Sequence, residues 1–183
     1  GDAYTDGFSK AVKVDVTTAD TSFTTNQRAF IEYRIEAQDL QVFKKGTANA
    51  EKFTLAFWIK ATKTGTNVVR LHSADSDRSV SASYTVSSTN TWEFKILNFP
   101  ADTTGVINND NGEGLVVAWG MALGPSYTSG SLRTTWGSGG TVTGDFVGQV
   151  NNFDSTSNNF HLTGVQLEIG EYDSTSLPPV SYT

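Results

Sequence analysis

The sequence predicts an all-β protein, an antiparallel two-sheet jelly-roll β-sandwich. Three observations point there. Apolar residues recur at every second position in many short segments, while helical periodicity is almost absent. The polar fraction is dominated by 25 Thr and 18 Ser, with 12 Asn and 17 Gly. Thr fits a pleated sheet, whereas Gly and Asn accept the positive φ of tight turns. Eight strand-like segments are also separated by turn-rich connections with no helical crossover, the pattern of a sandwich or barrel.

In chain order, Val12, Val14 and Val16 alternate with Lys13 and Asp15 as a half-buried strand. Phe30, Ile31, Tyr33 and Ile35, set against Glu32, Arg34 and Glu36, give a second, followed by a short helical turn around Ala37–Leu40. In the third, Phe53, Leu55, Phe57 and Ile59 alternate with Thr54, Ala56, Trp58 and Lys60. Residues 68–72 and 79–86 supply two more. Trp92, Phe94 and Ile96 then alternate with Glu93 and Lys95 up to the stop at Pro100, so Phe57 and Trp92 are the expected core anchors. Residues 115–123 are apolar in both phases, as in a central strand covered on both faces. Residues 160–169 close the set, with Val165, Leu167 and Ile169 expected inward and Gln166 and Glu168 outward.

A chain of 183 residues and 19.7 kDa fits one domain with a sizeable core. Residues 1–170 read as that domain, with residues 1–10 a candidate N-terminal linker. Residues 171–183, containing Ser174-Thr-Ser-Leu-Pro-Pro179, read as an extended tail or linker. The opening Gly1-Asp2-Ala3 fits a processed end as well as the middle of a longer chain, and no basic-then-apolar leader pattern follows it. With no cysteine, neither disulfides nor a cysteine–zinc site can hold the fold. A net charge of −6 argues against a general nucleic-acid surface, which needs clustered Lys and Arg. No apolar run approaches the roughly 20 residues of a membrane span.

Enzyme chemistry finds little support. The two histidines, His72 and His161, have no cysteine and no Gly-x-Ser-x-Gly elbow to serve, and read as surface or groove residues. Glu32, Glu36, Glu93 and Glu168 fall on outward strand positions, where they solvate a sheet without any need for a glycosidase carboxylate pair. Asn109, Asn111, Gly112 and Glu113 echo an EF-hand loop, but its first position is Ile107 and its twelfth is Ala118. Gly137-Ser-Gly-Gly140 lacks the Lys-Ser/Thr of a phosphate loop and reads as a mobile connection.

The segments Phe53-Thr-Leu-Ala-Phe-Trp-Ile-Lys60, Thr64-Gly65-Thr66, Arg78-Ser79, Tyr84-Thr85-Val86, Thr91-Trp92-Glu93 and Thr163-Gly-Val-Gln-Leu-Glu168 occur in that order. From about Phe30 to Gly170 this series resembles a β-sandwich domain of phage tail-fibre and other virion structural proteins. That domain is in turn similar to galactose-binding-like jelly-roll carbohydrate-binding modules. The chain departs from the resemblance at its end, where Ser174-Thr-Ser-Leu-Pro-Pro179 replaces a Thr-Pro-Phe-Glu-like exit. The resemblance implies a non-catalytic domain on the particle surface or tail, without a cofactor apart from a structural Ca²⁺ that related jelly rolls often hold. Its expected partners are a host surface polysaccharide or lipopolysaccharide and other virion proteins. The expected assembly is a homotrimer, with neither nucleic-acid binding nor membrane insertion.

Sugar binders stack an aromatic face on the C–H face of a pyranose and fix its hydroxyls with polar groups. Trp58 is a bulky ring in the polar phase of its strand, beside small Ala56. Arg70 and His72 share one face of the next strand. If those strands pair, one face holds both a platform and donors. Tyr127 and Trp136, in loops, complete the expected ligand-binding set; the competing expectation for all these rings is packing. Two further functional readings stand beside attachment: a decoration domain of capsid or fibre that binds no sugar, and an accessory carbohydrate-binding module of a glycan-degrading enzyme.

Overall fold

In the computed structural model, residues 7–178 are described. Residues 1–6 of the expected linker and residues 179–183 of the expected tail lie outside them. The described strands are β1 (Val12–Asp15), β2 (Arg28–Glu36), β3 (Phe53–Ala61), β4 (Gly65–Ser73), β5 (Arg78–Val86), β6 (Glu93–Phe99), β7 (Glu113–Leu123), β8 (Gly137–Ser138) and β9 (Asn159–Ile169). They form two antiparallel sheets, a four-stranded one ordered β1-β9-β3-β6 and a five-stranded one ordered β2-β7-β4-β5-β8. The helical turn expected after β2 is a 3-10 helix over Ala37–Phe43, whose buried Ala37, Leu40 and Phe43 join the core.

The apolar phases of the two sheets meet in one core. Phe53, Leu55, Phe57, Ile59 and Ala61 of β3 are fully buried and face Val69 and Leu71 of β4 and Leu115, Val117 and Trp119 of β7. Phe57 packs edge-on against both Tyr84 and Trp119, with centroids 5.2 and 5.7 Å away. As expected of a strand apolar in both phases, β7 lies between β2 and β4 and is covered on both faces. Its second face lies under a smaller cluster of Val68, Ala118, Tyr127 and Phe146.

Two strands depart from the expected phase. In β6, Leu97 and Phe99 are buried opposite Leu55 and Phe53, so Trp92, Phe94 and Ile96 belong to the outer face. Trp92 is therefore no core anchor: its ring lies against His161, with Lys60 above it at 5.4 Å. The segment Ile96-Leu97-Asn98-Phe99 is apolar in both phases, and register with β3 decides which phase is inward. In β9, Phe160 and Leu162 point to the core before a bulge opposite Ala56–Trp58, and Leu167 and Ile169 do so after it. The bulge flips the phase and leaves Val165 44% exposed instead of inward. Gly164 allows it with φ +59°, and a Cβ there would lie 2.7 Å from the Phe8 ring.

The Gly137–Gly140 segment is pinned rather than loose. Gly137 and Ser138 pair with Ser79 and Arg78 as the edge strand β8, and the Gly139 amide donates to the Asp77 carbonyl at 2.7 Å.

Candidate functional site

The outer face of the four-stranded sheet carries more aromatic surface than a solvated sheet face requires. Trp58 of β3 sits directly opposite Phe94 of β6, and their rings lie 4.9 Å apart at 37°. Cross-strand aromatic neighbours of this kind stabilise a sheet by about 0.2–1 kcal/mol. Beside them stand Trp92, Lys60 and His161, the last two facing each other across the β3–β9 ladder. Trp58, Trp92, Phe94 and Ile96 are all half-buried.

Both ends of the described chain run onto this face. Phe8 lies against Gly164, and the Lys10 carbonyl accepts from the Thr163 hydroxyl at 2.8 Å. At the other end the Tyr172 amide donates to Thr54 Oγ1 at 3.1 Å, and Gln166 Nε2 donates to the Pro178 carbonyl at 2.8 Å. Residues 171–178 thus lie back on the sheet, over buried Thr54 and Ala56.

Arg70 and His72 do not share this face. The 53–60 and 68–72 segments do not pair: β3 lies in the four-stranded sheet and β4 in the other. Trp58 and the Arg70–His72 pair consequently project from opposite outer faces, and no composite platform forms. Strand neighbourhood in sequence suggested a hairpin, but β3–β4 is a crossing between sheets. Residues 124–150 fold over the Arg70 side. There Asp145, fully buried, accepts from Arg70 at 3.1 Å, Arg133 at 3.0 Å and the Ser79 hydroxyl at 3.1 Å, and its carbonyl takes the Ser81 hydroxyl at 2.7 Å. Arg70 is the clamp that holds this excursion down. His72 Nε2 stands 3.2 Å from Asp77 at its margin.

Tyr127 and Trp136 are packed. Tyr127 is 7% exposed under Phe30, and its hydroxyl accepts from Arg28 at 2.7 Å. Trp136 is 9% exposed, with Nε1 donating to the Pro100 carbonyl at 2.7 Å and the Lys45 ammonium 3.7 Å from its ring. Phe94, Lys60 and His161 are the neighbours of Trp58 that sequence reasoning left out. The signal was there, since an outward Trp58 makes its directly opposite residue on the paired strand outward too.

The carboxylates of the expected turns are engaged by their own surroundings. Asp75 accepts from the Asn108 amide at 2.9 Å and side chain at 2.8 Å, and Asp110 accepts from the Gly112 amide at 2.9 Å. Among the described residues no three His, Asp or Glu side chains are grouped to hold an ion. A thermal scan in excess EDTA tests the structural Ca²⁺ directly: a drop of several degrees would support the ion, and an unchanged melting curve would argue against it. Glu93 is likewise a local clip. Burial works against its charge, yet Lys95 and the Ser87 and Ser88 amides hold its carboxyl below the usual range.

No family model matches the chain, and neither a curated protein nor a solved structure matches it.

Proposed function

We propose that this chain is a non-catalytic jelly-roll domain of a phage particle that attaches to the host by binding a cell-surface glycan. The observation that supports this best is the Trp58–Phe94 pair, two half-buried rings 4.9 Å apart on an outer sheet face where alternation alone calls for polar side chains. Flat aromatic faces suit the C–H face of a pyranose, and half-buried Lys60 beside them offers a donor to hydroxyls. An open face of this kind buries little ligand area, so single-site affinity is weak and several copies on one particle supply avidity. A homotrimer, implied by the fibre resemblance, is one such arrangement.

A second reading is favoured by a different fact. Both described chain ends lie on this same face, as they would in a domain docked there onto another virion protein.

Trp58→Ala is expected to abolish binding to whole cells or isolated surface polysaccharide while keeping the melting temperature within a few degrees. His72→Ala, on the opposite face, is expected to bind as the wild type does. If Trp58→Ala folds and still binds, the sugar platform is not here. If both variants and the wild type fail to bind any glycan, the docking reading takes its place.

A further inference from the structure

The two sheets part company along one side of the sandwich. There β1 and β2 are the edge strands, and among the described residues neither pairs with anything further out. Between them opens a cleft of about 400 Å³ lined by Val12, Ile31, Glu32, Tyr33, Trp119 and Leu162, with Val165 at its mouth. Val12, Tyr33 and Val165 are 54%, 61% and 44% exposed, three of the five large apolar residues that the described surface leaves open. Tyr33 shares the inward phase of Ile31 and Ile35, yet it is left 61% exposed, with no cover from the other sheet among the described residues.

Strand β2 is nine residues long and contains no proline. Its only bulges lie between Ala29 and Phe30 and between Ile35 and Glu36, which leaves residues 30–35 regular. Long regular edges are templates for pairing unless charge or proline blunts them. Here the charges favour self-pairing. Two copies joined edge to edge about a twofold axis must place residues of the same phase opposite each other. With the axis at Tyr33, Arg34 faces the partner's Glu32 twice, Ile31 faces the partner's Ile35 twice, and the two Tyr33 rings meet. Moving the axis to Glu32 or Arg34 sets like charges face to face, and moving it to Ile31 sets Arg28 against the partner's Arg34. Of the registers centred on residues 31–34, within the regular stretch between the two bulges, that at Tyr33 alone pairs opposite charges without a clash of like ones. Within its own chain Arg34 reaches Glu32 at 3.4 Å and Glu113 of the inner strand β7 at 3.0 Å, and its side chain is 66% exposed, so pairing would add the partner's Glu32 to these two carboxylates.

We propose that β2 is a self-complementary dimer interface, occupied by the β2 strand of a second copy about a twofold at Tyr33. The pairing joins two five-stranded sheets into one and brings the two apolar clefts together, so that Tyr33, Val12 and Val165 leave water.

The chain has no cysteine, which makes the register directly testable. Tyr33→Cys places two thiols opposite each other at the spacing of a cross-strand disulfide. Under mild oxidation it is expected to give covalent dimers far faster than Val42→Cys, whose site is equally exposed but lies outside β2. In sedimentation the wild type should show a two-chain mass. Arg34→Glu is expected to weaken association about tenfold or more, because each contact occurs twice. The double reversal Glu32→Arg/Arg34→Glu should restore it, with melting curves confirming that every variant is folded. A monomer at high concentration, a three-chain mass, or equal cross-linking of the two cysteine variants would overturn the proposal. So would a monomer that takes up a hydrophobic dye at this cleft, which would assign the cleft to a small apolar ligand.

Discussion

Asp102→Ala is expected to destabilise the fold by about 3–5 kcal/mol, the cost of stranding buried charge. The Asp102 carboxylate is 1% exposed and receives Lys45 Nζ at 2.8 Å and Arg78 Nε at 2.9 Å, with the Thr104 and Gly105 amides completing its shell. The Lys45 ammonium is as buried as its partner, and burial presses its pKa down although Asp102 pulls it up. Without the carboxylate, the buried Lys45 ammonium is left against the face of Trp136. Removing both charges at once, as in Lys45→Met/Asp102→Leu, should cost much less than the sum of the single losses, since no ion is then left unpaired. Chemical denaturation of the three variants reads this directly. Additive losses would show that the pair is not coupled.

The same group sets an acid limit. Burial alone would raise the Asp102 pKa, but the hydrogen bonds from Arg78 and Lys45 bring it down from 3.8 to about 2. A carboxyl lowered on folding stabilises the native state fully above its unfolded pKa, and the contribution disappears as pH falls toward the folded value. Stability should therefore decline between about pH 4 and pH 2, followed by circular dichroism. Asp102→Asn, which keeps the shape and loses the charge, should show a shallower decline over that range.

Phe57→Ala is expected to cost about 3–5 kcal/mol as well, by a different route. The ring is fully buried and touches Tyr84 and Trp119 of the other sheet, so its loss opens a hole where the two sheets meet. Tyr84 and Trp119 are too large to collapse into it without leaving their strands. Phe57→Leu keeps most of the volume and should stay below about 1.5 kcal/mol. A Phe57→Ala loss near 1 kcal/mol in denaturant titration would mean that the sheets close over the gap.

Much of the fold was legible because single strands announce themselves. The alternation in β3 and the two-faced run in β7 hold as read, and the Ala37–Leu40 turn lies where expected. What alternation cannot supply is the relation between strands. The phase of β6 is set by Leu55 and Phe53 across the ladder, not by Trp92 and Phe94. The flip in β9 needs the Gly164 bulge, which looks in sequence like any other glycine. The candidate site suffered most from this. Trp58 was legible as an outward ring, but its combination with Arg70 and His72 required β3 and β4 to share a sheet. The loop rings Tyr127 and Trp136 looked exposed because the residues that cover them, Phe30 and Lys45, lie about 90 or more positions away in sequence. Of the expected set, Trp58 alone stands on the aromatic face, and the Asp145 clamp on Arg70 had no local signal at all.

That clamp has an architectural effect. By fastening residues 124–150 over the five-stranded sheet, Asp145 gives the molecule a back and leaves the aromatic side as its front. A domain with a front and a back cannot be mounted in a repeating particle in either sense with the same result. Under the β2 pairing proposed above, the twofold runs perpendicular to the sheets. Both fronts then point the same way, about one sandwich width apart, and a single dimer offers two parallel contact planes to whatever surface it meets.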